Sequence, residues 1–207
     1  MELIFATGNE GKLREMREIC ATLGRKYGIS IDVKPMPDKV DIPETGSSYR
    51  ENSLQKAEYV WKCYHCGCIA DDSGLEVEAL DGAPGIYTAR YCDRNFSSGI
   101  DKLLHELEAL GALSPERRRG SFECCITLIL DGKPYFFEGH CPGHINGTRC
   151  GAAGFGFDPV FIADSTPGLC MAELPEERKN EVSHRGLAVE EMFRWLSGEG
   201  RDFAKRM

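Results

Sequence analysis

Residues 2–23 read ELIFATGNEGKLREMREICATL, and the hydrophobic period changes midway through them. Residues 2–7 form a short apolar run that ends in Gly8-Asn9, the pattern of a buried strand closing in a turn. From there Leu13, Met16, Ile19, Cys20 and Leu23 recur at helical spacing, and Gly24 supplies a stop signal. Strand, tight loop and helix in that order predict the opening unit of an α/β fold.

Working outward, residues 29–34 predict a second strand, and Pro35, Pro37, Pro43 and Gly46 predict an irregular loop after it. Leu54, Ala57, Val60, Trp61 and Tyr64 make the next helical stripe, with a start near Ser47 or Ser48. Cys68-Ile69-Ala70 reads as a short buried strand running into Asp71-Asp72-Ser73-Gly74. Leu103, Leu104, Leu107 and Leu110 mark a further helix, and residues 115–119 a charged surface turn. From Phe122 the period becomes two: Phe122, Cys124, Ile126, Leu128 and Leu130 face one way, Ser121, Glu123, Cys125 and Thr127 the other. Asp131-Gly132 is a hairpin signal into residues 134–138. A Gly-rich span at 147–156 precedes a strand at Val160-Phe161-Ile162. A last helix follows Ser183, burying Leu187, Val189, Met192, Phe193 and Leu196. The class is α/β with a mixed sheet, and without repeats or linkers residues 1–207 read as a single domain.

A chain of 207 residues suits one domain, or two lobes sharing a sheet. Its 33 acids against 25 bases leave a formal charge of -8, which opposes broad capture of a nucleic-acid backbone. Any anionic ligand must then be met by a local cluster of bases. No basic leader with a signal-length apolar stretch and no run of 18 apolar residues is present, so a soluble intracellular protein without membrane partners is expected. Ten cysteines fall below the density of a disulfide scaffold and read mostly as buried thiols. The CxxC at Cys63 and Cys66 lacks a second ligand pair for structural zinc, and Arg117-Arg118-Arg119 reads as a solvated turn.

Four short stretches carry possible chemistry. Thr7-Gly8-Asn9-Glu10-Gly11-Lys12, between strand and helix, can offer backbone N–H groups and the positive helix end to phosphate, with Lys12 as a point charge. It is not a Walker A loop, because only two residues separate Gly8 from Gly11-Lys12. Asp71-Asp72-Ser73-Gly74 can hold Mg²⁺ or accept a proton from water; both acids serve one site only if the strand has ended at Asp71. Phe155, Gly156, Phe157 and Asp158 combine stacking faces, close backbone approach and an acceptor for ring N–H groups. Lys179, His184 and Arg185 supply cationic and forked donors for a phosphate or a purine edge. Taken singly, each stretch also fits a plain turn, a capped loop or a solvated charge run.

Together, FATGNEGKLREM, ADDSGLEVEALDGAPGIYTARY, GFGFDPVF and KNEVSHRGLA, in this order over nearly the whole chain, closely resemble the inosine/xanthosine triphosphate pyrophosphatase family. The resemblance implies an elongated mixed central β-sheet with two α/β lobes, an active-site cleft between them, and a cytoplasmic homodimer. It also implies a Mg²⁺-dependent reaction in which dITP, ITP or XTP plus water gives the monophosphate and pyrophosphate, cleaning the nucleotide pool. By the same resemblance, residues 7–12 form the phosphate loop, Lys56 lies near the phosphates, and Glu44 and Asp72 hold the metal. Asp72 activates water as proton acceptor, supported by Asp71. Ser73 touches substrate, and Phe155, Gly156, Phe157, Asp158, Lys179, His184 and Arg185 bind base and triphosphate. Phe157 stands where the family often has Tyr or Trp, and Cys150 where it often has glycine.

Physical reasoning agrees with that assignment. An acidic protein can hold a triphosphate only by converging bases such as Lys12, Lys56, Lys179 and Arg185. A pocket that donates to the purine 6-oxygen leaves donors unmatched when adenine enters, and guanine must be refused at its 2-amino group. Two alternatives are a Maf-type pyrophosphatase acting on other nucleotides and a non-catalytic nucleotide sensor. Ser183-His184-Arg185 speaks against the first, and the retained pair Glu44 and Asp72 against the second.

Overall fold

The computed structural model describes residues 1–38 and 40–205, Lys205 by its backbone only. Its strands are β1 (Glu2–Phe5), β2 (Asp32–Pro35), β3 (Cys68–Val77), β4 (Arg119–Leu130), β5 (Lys133–Ile145) and β6 (Phe161–Ala163). They form one six-stranded sheet in the order β2-β1-β3-β4-β5-β6. The helices are α1 (Glu10–Tyr27), α2 (Tyr49–Tyr64), α3 (Gly99–Ala109), α4 (Glu176–Val182), α5 (His184–Ser197) and α6 (Arg201–Lys205). β1 runs parallel to both β2 and β3, whereas β5 and β6 pair antiparallel, so the sheet is mixed as expected. No helix among the described residues is long and apolar enough to cross a membrane.

The chain gathers into two compact units, residues 1–72, 124–139 and 184–207 in the first, and 73–123 and 140–183 in the second. In the first unit β1 is covered on both faces. Leu3 and Phe5 join Met16, Ile19 and Cys20 of α1 and Ala188, Val189, Met192 and Phe193 of α5 in one cluster. Ala6 joins Ala57 and Val60 of α2 with Cys68, Ala70 and Ile129 in another. Two α-helices on one face and α2 on the other explain why the strand reads as a continuous apolar run rather than an alternating one. In the second unit Leu75 and Val77 of β3 pack with Leu103 and Leu107 of α3, Phe122, Cys141 and Phe161.

Several local expectations need adjustment. Helix α1 passes through Gly24 and stops three residues later, because Gly28 takes the left-handed conformation at φ 68° and caps Gly24 O with its N–H. Pro35 lies inside β2, which the sheet tolerates because β2 is an edge strand and Pro has no ladder N–H to lose there. Ser48 is the N-cap of α2, its hydroxyl accepting from Glu51 N. Asp131 (φ 50°) and Gly132 (φ 75°) make the predicted two-residue turn, into a β5 longer than residues 134–138. Cys125, Thr127 and Ile129 of β4 are buried as fully as the opposite face, since α2 covers them. Arg118 is buried, its Nε donating to Ala112 O at 2.5 Å, so this arginine is not solvated. The short α6 follows α5 and was not expected. Most cysteines are buried, and burial pushes the Cys20 and Cys68 thiols up to about 12. Cys150 and Cys170 instead form a disulfide that ties the Gly-rich loop to the segment after β6.

Candidate active site

The main departure from the sequence reading lies in β3. The strand continues from Cys68 through Asp71, Asp72 and Ser73 to Val77, so its two acids point to opposite faces. Asp71 follows the parity of Ile69, toward α1 and α5; Asp72 follows Cys68 and Ala70, toward α2. Both are buried, at 1 % and 5 % exposure. The condition under which the acids would share one face is therefore not met; each has its own close contacts, while the charge of Lys56 acts on both.

Asp71 sits two residues beyond Ile69, which is level with Phe5 at the end of β1, and so lies beside the loop that starts α1. Its carboxylate accepts from Arg185 Nη2 at 2.7 Å and Nε at 3.1 Å, and Lys12 Nζ stands 3.0 Å away. Burial alone would raise its pKa, but Lys12, Arg185 and Lys56 together hold it well below the usual carboxylate range. Arg185 is wholly buried at the start of α5 and also pairs with Glu15 of α1, itself 6 % exposed. Its guanidinium is thus an anchor between two acids, a setting the sequence reading of a base-binding arginine did not foresee. Glu15 was missed altogether; its signal was a carboxylate four residues before Ile19, on the stripe that faces the core.

On the other face, Asp72 Oδ2 accepts from Asn52 Nδ2 at 3.0 Å, and Lys56 Nζ is 3.6 Å from Oδ1. The same Lys56 Nζ donates to Glu44 Oε1 at 2.5 Å. Burial raises the pKa of Asp72, Glu44 and Asp71 add to the rise, and Lys56 and Asn52 oppose it. Burial works against the charge on Lys56, yet Asp71, Asp72 and Glu44 outweigh it and raise its pKa, so the ammonium is firmly charged. The buried face of α2 holds Asn52, Ser53, Lys56, Ala57 and Val60, a partly polar stripe displaced from the apolar one read in the sequence. Two neighbouring carboxylates are thereby separated in kind: one locked as an anion, one tuned upward in the direction a proton acceptor needs.

Glu44 and Asp72 also converge on a single cationic point, Lys56 Nζ, and both present hard carboxylate oxygens. That donor set fits Mg²⁺, which takes one or two protein carboxylates and keeps several waters.

The loop before α1 is built for backbone approach. Thr7 Oγ1 accepts from Asn9 N at 3.1 Å, and Asn9 Oδ1 caps Lys12 N at 3.1 Å. A Cβ at Gly8 would meet nothing within 4 Å, so the space over the loop is open, while one at Gly11 would come within 3.1 Å of Asn9 Oδ1. Glu10 is exposed in the first turn, where its charge complements the helix dipole. His184 is buried at the first position of α5.

In the second unit, Asp158 Oδ2 accepts from Phe155 N at 2.8 Å and from Lys179 Nζ at 2.8 Å. Gly154, at φ 77°, permits this turn, since a Cβ there would strike Asp158 Oδ2 at 2.3 Å. Phe155 is 39 % exposed, with Lys179 Nζ 4.8 Å from its ring centre. Phe157 is 4 % exposed and packs against Tyr91 in the core, so its ring is not the stacking face expected beside Phe155; Gly156 between them is exposed. Ser73, half-buried, directly follows Asp72 in β3.

Comparison with known proteins identifies the family of the chain. The chain is 44 % identical over 197 residues to a dITP/XTP pyrophosphatase of Porphyromonas gingivalis, covering 94 % of this chain and 97 % of that one. A dITP/XTP pyrophosphatase of Geobacter sulfurreducens is 43 % identical over 190 residues, covering 90 % and 92 %. Among solved structures, a Coxiella burnetii HAM1 protein superposes with a TM-score of 0.81 at 35 % identity, covering 95 % of this chain and 98 % of that one. The Staphylococcus aureus Ham1 protein superposes with 0.78 at 35 %, covering 96 % and 100 %. The Ham1 family model matches residues 3–195, so the loop between β1 and α1, both acids of β3, the turn at Gly154 and Arg185 all fall within it. The chain belongs to the Ham1 family.

Proposed function

We propose that this protein hydrolyses purine nucleoside triphosphates carrying hypoxanthine or xanthine, dITP/ITP and XTP/dXTP, to the monophosphate and pyrophosphate, with Mg²⁺ as cofactor. The observation that carries the reading is the division of labour in β3: Asp71 is tied to Lys12 and Arg185, while Asp72 faces Lys56, Glu44 and Asn52. The names of the curated relatives support the substrate class.

In this reading the triphosphate lies over residues 7–12, where α1 contributes its positive end and Lys12 its ammonium. Asp71, anchored by Arg185, holds Lys12 in place and takes no proton. Asp72 accepts a proton from the attacking water; an oxygen–phosphorus bond forms at the α-phosphorus as the α–β bridge bond breaks, and pyrophosphate departs. Lys56 and Lys12 neutralise charge on the departing oxygens. Mg²⁺ held by Glu44 and Asp72 would supply further neutralisation of the phosphates and acidify bound water. Within the second unit, Phe155 offers an exposed stacking face suited to a base, and Lys179 and Asp158 fix the turn that presents it. His184 serves as a donor to the base. Discrimination against adenine follows from donors aimed at a 6-oxygen, which an amino group cannot match. Cytoplasmic location and a homodimer belong to the same reading, supported by the family resemblance of the four motifs.

Pyrophosphate release from dITP, XTP, ATP, GTP and TTP, each with and without Mg²⁺, tests it. Metal-dependent release from dITP and XTP with little from the others is expected. Preference for TTP would move the chain to the Maf-type reaction, and no release from any would leave a nucleotide sensor.

A further inference from the structure

Asn52 is 1 % exposed and has no place in the reaction described so far, yet both ends of its amide are engaged. Its Nδ2 donates to Asp72 Oδ2 at 3.0 Å, and its Oδ1 accepts from Gly46 N at 2.8 Å. Gly46 closes the segment Pro43-Glu44-Thr45-Gly46, so one rigid side chain on the first turn of α2 ties Asp72 to the stretch that carries Glu44. The approach is close enough to require glycine: a Cβ at position 46 would lie 2.6 Å from Glu51 Cβ and 2.8 Å from Asn52 Oδ1. A second tether, Gln55 Oε1 accepting from Thr45 N at 3.1 Å, holds the neighbouring peptide but does not reach Asp72.

We infer that Asn52 is a positioning residue for the hydrolytic step: it sets the orientation of the Asp72 carboxylate and its spacing from Glu44. The argument is geometric. A carboxylate on a strand has a free terminal torsion, and Lys56, at 3.6 Å from Oδ1, is too distant to fix it alone. The amide of Asn52 donates to one oxygen, which leaves Oδ1 directed toward the side where Lys56 and Glu44 stand. Groups that orient a reacting or metal-bound carboxylate are commonly worth 10- to 100-fold in activity, roughly the size expected here. Asparagine suits the task because it offers a donor and an acceptor on one short planar group; aspartate would keep the bond from Gly46 but place a second negative oxygen against Asp72.

The inference rests on Asp72 as proton acceptor, and the test separates the two. Turnover and equilibrium binding of dITP are measured for wild type, Asn52→Ala, Asn52→Asp, Asp72→Asn and the double variant Asn52→Ala with Asp72→Asn, with thermal melting of each. The expected result is a kcat lowered about 10- to 100-fold in Asn52→Ala and more in Asn52→Asp. KM and dITP affinity stay within about threefold, and Asn52→Ala causes no further loss when Asp72 is already Asn. Asn52→Ala that is folded at the assay temperature and turns over within twofold of wild type overturns the inference. So does the same fold-loss in the double variant as in the single, which marks a general structural effect. Normal turnover in Asp72→Asn overturns the reading of Asp72 itself, whereas collapse there with full activity in Asn52→Ala overturns only the role of Asn52.

Discussion

Replacing Glu15 by alanine probes the network that holds Asp71 ionised. Glu15 on α1 is 6 % exposed and pairs with Arg185, which is wholly buried and also grips Asp71 at 2.7 and 3.1 Å. In the wild type two carboxylates, Glu15 and Asp71, face two cations, Arg185 and Lys12, so the cluster is locally neutral. Glu15→Ala leaves Arg185 buried with one acid shared between two cations. Breaking a buried pair from one side costs about 3–5 kcal/mol, because the remaining charge stays desolvated. For a chain of this length each kcal/mol moves the melting temperature by roughly 2–4 °C, so a fall of about 6–20 °C is expected. Glu15→Gln keeps an oxygen acceptor for Arg185 and should lose less, about 1.5–3 kcal/mol, the range for hydrogen bonds to charged groups. Thermal melting followed by circular dichroism, with urea titrations of the three proteins at one pH, gives both numbers. An alanine variant that melts within 2 °C of wild type (~1 kcal/mol or less) would refute the claim that Glu15 and Arg185 form a linked buried network.

Two other outcomes follow from the same cluster. Lys12→Ala removes the one cation of residues 7–12, the loop proposed to receive the triphosphate, and a partner of Asp71, so dITP should bind about 10-fold or more weakly while Asp72 keeps its partners; unchanged affinity on titration would take Lys12 out of the site. Stability should also respond to acid through Asp71. Its folded pKa is depressed, so its contribution is complete above its unfolded value of about 3.9 and is lost as pH falls toward the folded pKa. Urea unfolding of wild type and Asp71→Asn should therefore show a stability difference that is constant from neutral pH to about pH 5 and narrows below about pH 4. A difference that persists undiminished into strong acid would contradict the assigned charge state.

Local order was legible wherever it depends on neighbours in the chain. The stripe from Leu13 to Leu23 marked α1, Ser48 its successor's cap, and Asp131-Gly132 the hairpin turn. What the sequence could not display is compensation across the fold. Two adjacent acids after Cys68-Ile69-Ala70 look like the end of a strand, because an unpaired carboxylate cannot be buried. In the folded chain Lys12, Lys56 and Arg185 arrive from three helices, pair those acids and let β3 continue. The same blindness hid Glu15 and Asn52: each is a polar residue at core spacing on a helix, and its meaning lies in a partner more than a hundred residues away for the first and twenty for the second. Phe157 shows the converse, an aromatic read as a ligand face that packs instead beneath Tyr91.

The central claim, that β3 carries one structural anion and one proton acceptor on opposite faces, is tested most directly by comparing Asp72→Asn with Asp71→Asn. Single-turnover pyrophosphate release from dITP and equilibrium dITP binding should be measured for both. Asp72→Asn is predicted to lose about 10²- to 10⁴-fold in rate with dITP affinity retained, the range for removing a general base. Asp71→Asn is predicted to lose stability, measured as a lower melting temperature, with a smaller loss of rate. Normal turnover in Asp72→Asn, or the larger loss of rate in Asp71→Asn, would contradict the account.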